Sequence, residues 1–141
     1  MFDFSRENRS LLANWWRNID KTILSLNDEI ICINDSKATN FESSSQSLMS
    51  YKNIFWIVGG IPKKGDKFGL NKFKKNIIKA YIIGKSTVFF KKQLRKKINF
   101  VVVNNLNNAV LQVIKDLKQI NSINNLTKKK YGRYALIISL F

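Results

Sequence analysis

Asn34-Asp35-Ser36-Lys37-Ala38-Thr39-Asn40 sets one carboxylate, one cation, two hydroxyls and two amides directly behind the apolar run Ile30-Ile31-Cys32-Ile33. A polar cluster of this kind, in the turn that leaves a strand, lies where open α/β folds bind ligands. Lys37 projects a cation that can meet a phosphate or a carboxylate. The same residues also make a good turn. Asp35 and Ser36 can bond back to nearby amides, and Thr39 or Asn40 can cap the next helix.

A second string, Trp56-Ile57-Val58-Gly59-Gly60-Ile61-Pro62-Lys63, ends another apolar run in paired glycines and a lysine. Glycines there permit a tight turn and close backbone approach. The loop is not a Walker A motif, because Asp66-Lys67 stands where Lys-Ser/Thr is required. Lys63 is the candidate ligand contact and Lys64 a solvated neighbour. Asn104-Asn105-Leu106-Asn107-Asn108 reads as a polar turn with a helix cap, and Trp15, Trp16 and Trp56 as packing residues.

Elements able to hold these loops alternate along the chain. Short apolar or β-branched runs predict strands at about 29–33, 54–58, 79–83, 98–103 and 134–140, none strictly alternating, as for strands covered on both faces. Helical stretches lie between them, starting at about 43–49 and covering 85–94 and 107–120. Ala109, Val110, Val113, Ile114 and Leu117 make the apolar face of the last. The expected fold is α/β, Rossmann-like, a mostly parallel sheet flanked by helices. A short amphipathic helix precedes it, with apolar residues at 11, 12, 15, 16, 19 and 23 and Ser10 as its cap. It can pack on its own domain or lie on a membrane surface.

The chain has 141 residues, 45% of them hydrophobic, enough for one domain with a core. It contains no His and one Cys, Cys32, which removes ordinary zinc sites, His-based triads and an internal disulfide. The anomaly is charge, 25 basic against 9 acidic residues, net +16. Most of the excess is lysine in scattered pairs, with little of the arginine used for reading bases, so nucleic acid is not the leading partner. No run reaches the ~20 apolar residues of a membrane span, and Arg6, Glu7 and Arg9 interrupt any signal sequence. The expected location is the cytoplasm.

The two loops together resemble the C-terminal domain of the Mur ligases of peptidoglycan synthesis, in the form typical of the D-glutamate-adding branch. The resemblance covers about 28–141. It implies a domain that closes over ATP and D-glutamate, with UDP-N-acetylmuramoyl-L-alanine as acceptor and Mg²⁺ held by other domains. By that resemblance Asp35, Lys37 and Asn40 contact the nucleotide, Thr39 and Lys63 face the amino-acid substrate, and Lys37 and Lys63 neutralise charge at the reacting phosphate. In these ligases the last strand runs on into Ser-Pro-Ala and a substrate-binding loop, whereas this chain stops at Phe141. Since it also contains no P-loop, the expectation is that alone it is not catalytically self-sufficient and works, if at all, with the missing ligase domains supplied in trans. Separately, Arg9-Ser10-Leu11-Leu12 with Trp15-Trp16 and Ile19-Asp20 resembles the cytoplasmic start of the SEDS family of division proteins, giving a segment 1–27 without its transmembrane helix. Two alternatives stay open: a cationic nucleic-acid-binding module, and a division-site interaction module using the Trp-rich helix.

Overall fold

The computed structural model describes residues 30–35, 40–127 and 134–141, with side chains of 121–127 left aside. The amphipathic helix expected near 10–24 lies outside the described residues, as do Lys37 and Thr39.

Five parallel strands form one sheet: β1 (Ile30–Asn34), β2 (Ile54–Gly59), β3 (Ile77–Ile83), β4 (Phe100–Val102) and β5 (Tyr134–Leu140), in the spatial order β1-β5-β2-β3-β4. Three helices flank it, α1 (Phe41–Ser50), α2 (Thr87–Leu94) and α3 (Leu106–Thr127). The arrangement is Rossmann-like, as the alternating runs predicted. From β1 to β4 the chain steps in one direction across the sheet, so right-handed crossovers put α1 and α2 on one face. The return from β4 to β5 reverses direction and puts α3 on the other.

The core follows from this layering. On one face Trp56, Val58, Ala80, Ile82 and Ile137 pack against Phe41, Leu48, Phe90 and Leu94 of α1 and α2. The β2–β3 link, which contains two 3₁₀ turns (Leu70–Lys72 and Lys74–Asn76), adds Phe68, Leu70 and Phe73 to that layer. On the other face Phe55, Ile57, Tyr81, Leu136 and Ile138 meet Ala109, Val110, Val113 and Leu117 of α3. Every residue of β2 and β5 is buried, as expected for central strands covered twice.

Element boundaries depart from the expectations for physical reasons. β3 begins at Ile77, not 79: Ile77 pairs with Ile54 of β2 across an irregularity in the register, and Lys79 inside the strand is held by an ion pair with Asp116 of α3. β4 is shorter than 98–103, since Ile98 is still tied to α2 through its N–H to the Leu94 carbonyl (3.1 Å). α3 runs on to Thr127 through a polar stretch with little apolar periodicity.

Candidate functional site

In a parallel sheet all strand exits share one edge. The carboxyl edge of this sheet therefore gathers Asp35, the start of α1, the Gly59-Gly60 turn and the loop with Lys63. β5 alone separates β1 from β2, so the ends of these strands lie about 10 Å apart.

Asp35 directly follows β1, and its backbone N–H donates to the Ile138 carbonyl (2.8 Å). Its partly buried carboxylate accepts from Ser139 Oγ at 3.1 Å and, more weakly, from Ser47 Oγ at 3.4 Å. Ser139 in turn accepts from the buried indole Nε1 of Trp56 at 3.0 Å. A chain of hydrogen bonds thus runs from β2 through β5 to the carboxylate after β1. It fixes the direction of Asp35 while leaving lone pairs for an outside donor, since a carboxylate offers about four acceptor sites.

Asn40 caps α1: its backbone is extended and its Oδ1 accepts from the Ser43 N–H at 2.8 Å. Its amide NH₂ is a separate donor group that this bond does not use. One turn further on, the buried Ser44 hydroxyl has no hydrogen-bond partner.

The Gly59-Gly60 turn is dictated by crowding. A Cβ on Gly59 would collide with the Ile83 carbonyl and one on Gly60 with the backbone of Phe141, and Gly60 has φ +95°. The Phe141 N–H donates to Gly59 O and the Ile61 N–H to Phe141 O, both at 3.0 Å, so β2 and β5 stay joined past their ends. The chain then turns at residues 63–66, where the Asp66 N–H donates to Lys63 O (3.0 Å) and Gly65 takes φ +80° at the third position. This turn brings the Asp66 carboxylate to the first amide of α1, accepting from the Phe41 N–H at 3.3 Å. Phe41 and Phe68 stack behind it with centroids 4.4 Å apart. An acid at a helix N-terminus is favoured by the exposed amides there, and here it ties the second motif to the helix begun by the first. Lys63 itself is exposed.

Of the residues singled out from sequence, Asp35, Asn40 and Lys63 share this edge. Sequence reasoning missed Ser139 and Asp66. Ser139 carried a signal, being the one polar residue in the otherwise apolar run 135–141, and a buried hydroxyl needs a partner. Among the described residues no three carboxylate, thiol or imidazole side chains converge to hold a metal.

A second carboxylate, Asp116 of α3, stands away from this edge. It accepts from Tyr81 OH at 2.6 Å, Lys79 Nζ at 3.0 Å and Gln112 Nε2 at 3.1 Å. Burial pushes its carboxyl up, but the bonds from Tyr81, Lys79 and Gln112 and the Lys79 charge outweigh that and hold it below the usual carboxylate value. Burial, together with the bond to Asp116 and its negative charge, pushes the Tyr81 phenol far above its ordinary value. Asn105 caps α3, its Oδ1 accepting from the Asn108 N–H at 2.8 Å, as the asparagine cluster predicted.

No family model matches the chain. Curated relatives do. It is 45% identical over 82 residues to the UDP-N-acetylmuramoylalanine–D-glutamate ligase of Wolbachia sp. subsp. Brugia malayi (strain TRS), covering 58% of this chain and 16% of that protein. To the ligases of the same name from Rhizobium meliloti (strain 1021) and Rickettsia prowazekii (strain Madrid E) it is 39% and 41% identical over 88 and 83 residues, each match covering 19% of the relative. The chain is thus similar to a part of these ligases, spanning under a fifth of their length. Among the described residues no helix is long and apolar enough to cross a membrane.

Proposed function

We propose that this chain supplies the C-terminal-domain half of a UDP-N-acetylmuramoylalanine–D-glutamate ligase site, closing over ATP and D-glutamate. The observation that carries the reading is the Asp66 carboxylate on the Phe41 amide, which draws the Lys63 loop onto the helix opened by Asn34–Asn40. Two loops distant in sequence so come to one sheet edge, in a chain similar to ligases of that name.

The donor set at the edge suits a nucleotide. Asp35, oriented by Ser139, accepts from ribose hydroxyls, and the Asn40 amide donates to the same ligand. Lys37 and Lys63 neutralise phosphate charge, worth ~2–4 kcal/mol where charge develops in a site shielded from water. Thr39 and Lys63 hold the D-glutamate side, keeping its amine beside the acceptor carboxylate. ATP, when bound, supplies the phosphoryl group that activates that carboxylate, and the described residues provide no metal cage of their own. The site for the UDP-linked acceptor, the P-loop and the Mg²⁺ ligands come from the portion of the ligase outside the similarity.

Isothermal titration of the purified chain with ATP and Mg²⁺ tests this. Saturable binding is expected, weakened roughly 10- to 100-fold in Lys63→Ala and in Lys37→Ala, the range for a lost charge-assisted hydrogen bond. A folded chain that gives no saturable heat, or binding indifferent to both lysines, overturns the nucleotide assignment.

A further inference from the structure

The amino edge of the sheet, opposite the candidate site, has its own chemical character. Lys52 precedes β2, Lys74 and Lys75 occupy the 3₁₀ turn before β3, and Arg95, Lys96 and Lys97 join α2 to β4. All six are exposed. The acids of the described residues are Asp35, Glu42, Asp66 and Asp116. The first three sit at the carboxyl edge or the first turn of α1, and Asp116 is bonded to Lys79. Among the described residues the amino edge therefore carries no compensating acid. Strands β2 to β4 span about 10 Å, comparable to the ~10 Å screening length at 0.1 M salt, so these cations act as one field.

The same edge exposes apolar surface. Met49, in the last turn of α1, is 64% exposed. Beside Lys52 a cleft of about 440 Å³ opens between Ile31, Tyr51 and Tyr134. Among the described residues no fully exposed large apolar side chain is aromatic, Tyr51 being half-buried, so their part of this edge offers no open base-stacking platform of the single-strand-binding kind. Five of its six cations are lysines, point charges without the bidentate fork that reads bases. We propose that the amino edge docks on an anionic phospholipid bilayer, its lysines over the headgroups and Met49 at the interface. The ligase-like edge then faces away from the lipid. This inference does not depend on the ligase reading.

Co-sedimentation of the full chain with phosphatidylcholine vesicles containing about a third phosphatidylglycerol tests it. At a juxtamembrane contribution equivalent to about fivefold per cation, the triple variant Lys74→Gln/Lys75→Gln/Lys97→Gln is expected to partition about 100-fold more weakly. The triple variant Lys64→Gln/Lys67→Gln/Lys85→Gln removes the same charge from the other edge and is expected to bind like the parent. Circular dichroism establishes that both are folded. Binding should disappear in pure phosphatidylcholine and weaken steeply with salt. Equal losses in both variants would mean that net charge alone acts, and would overturn the proposal. So would vesicle binding that ignores both triples, or edge-dependent binding to a short DNA duplex with none to vesicles.

Discussion

Asp35 and Asp116 are both half-buried carboxylates reached from other strands or helices, yet they are held in opposite ways. Asp116 takes three donors, one of them a cation, from β3 and its own helix, and closes the α3–β3 contact. Among the described residues Asp35 takes two hydroxyls and no cation, at the open edge of the sheet. A carboxylate saturated by its own protein serves the fold. On the proposed reading, one that is aimed but keeps spare lone pairs, with no cation beside it among the described residues, is the one offered to a ligand.

Breaking the saturated group should cost most. Asp116→Ala leaves the Lys79 ammonium and the Tyr81 hydroxyl facing a half-buried gap, and should lower unfolding free energy by about 3 kcal/mol in urea titration. Ser139→Ala comes next, at about 2 kcal/mol, because it strands the buried Trp56 N–H. Its cost falls on the core behind Asp35, not on the carboxylate. Tyr81→Phe should cost about 1 kcal/mol, the net worth of one hydrogen bond.

The pH dependence sharpens the same contrast. Asp116 titrates lower folded than unfolded, so its contribution is present above the unfolded value near 4 and is lost as pH falls through the folded one. Tyr81 titrates higher folded, so its contribution is present below about 10 and is lost as pH rises beyond that. Thermal melts from pH 3 to 11 should show a plateau between these limits, with the acid shoulder reduced in Asp116→Asn. The smallest effect on stability belongs to Asp35→Asn, under about 0.5 kcal/mol, since the amide oxygen still accepts from Ser139. Its effect on ATP titration should be large. If Asp35→Asn unfolds the chain as readily as Asp116→Ala, the distinction between the two carboxylates fails.

Strand positions were legible because buried parallel strands are written as apolar runs, and 134–140 was read to the residue. The order β1-β5-β2-β3-β4 was not legible, since nothing local in Tyr134–Leu140 says that it inserts between β1 and β2. At the site, Asp35 and Lys63 stood out by residue type and resemblance. The Trp56–Ser139–Asp35 chain did not, because its members become neighbours only once three strands are laid side by side. Asp66 was read only as a mismatch to a Walker loop, and its place on the α1 N-terminus depends on a turn that Gly65 permits.

The insertion of β5 has a consequence for synthesis. Trp56 and Ser139 are 83 residues apart, and Asp35 and Ser139 104. At ~5–20 residues per second, β2 waits about 4–17 s for the strand that must lie beside it. During that time β1 and β2 have no ladder between them, and a fully apolar strand has an open side. The nascent chain is thus most exposed to misassociation just before it can fold, and the mutual repulsion of its net +16 charge is then its main built-in protection.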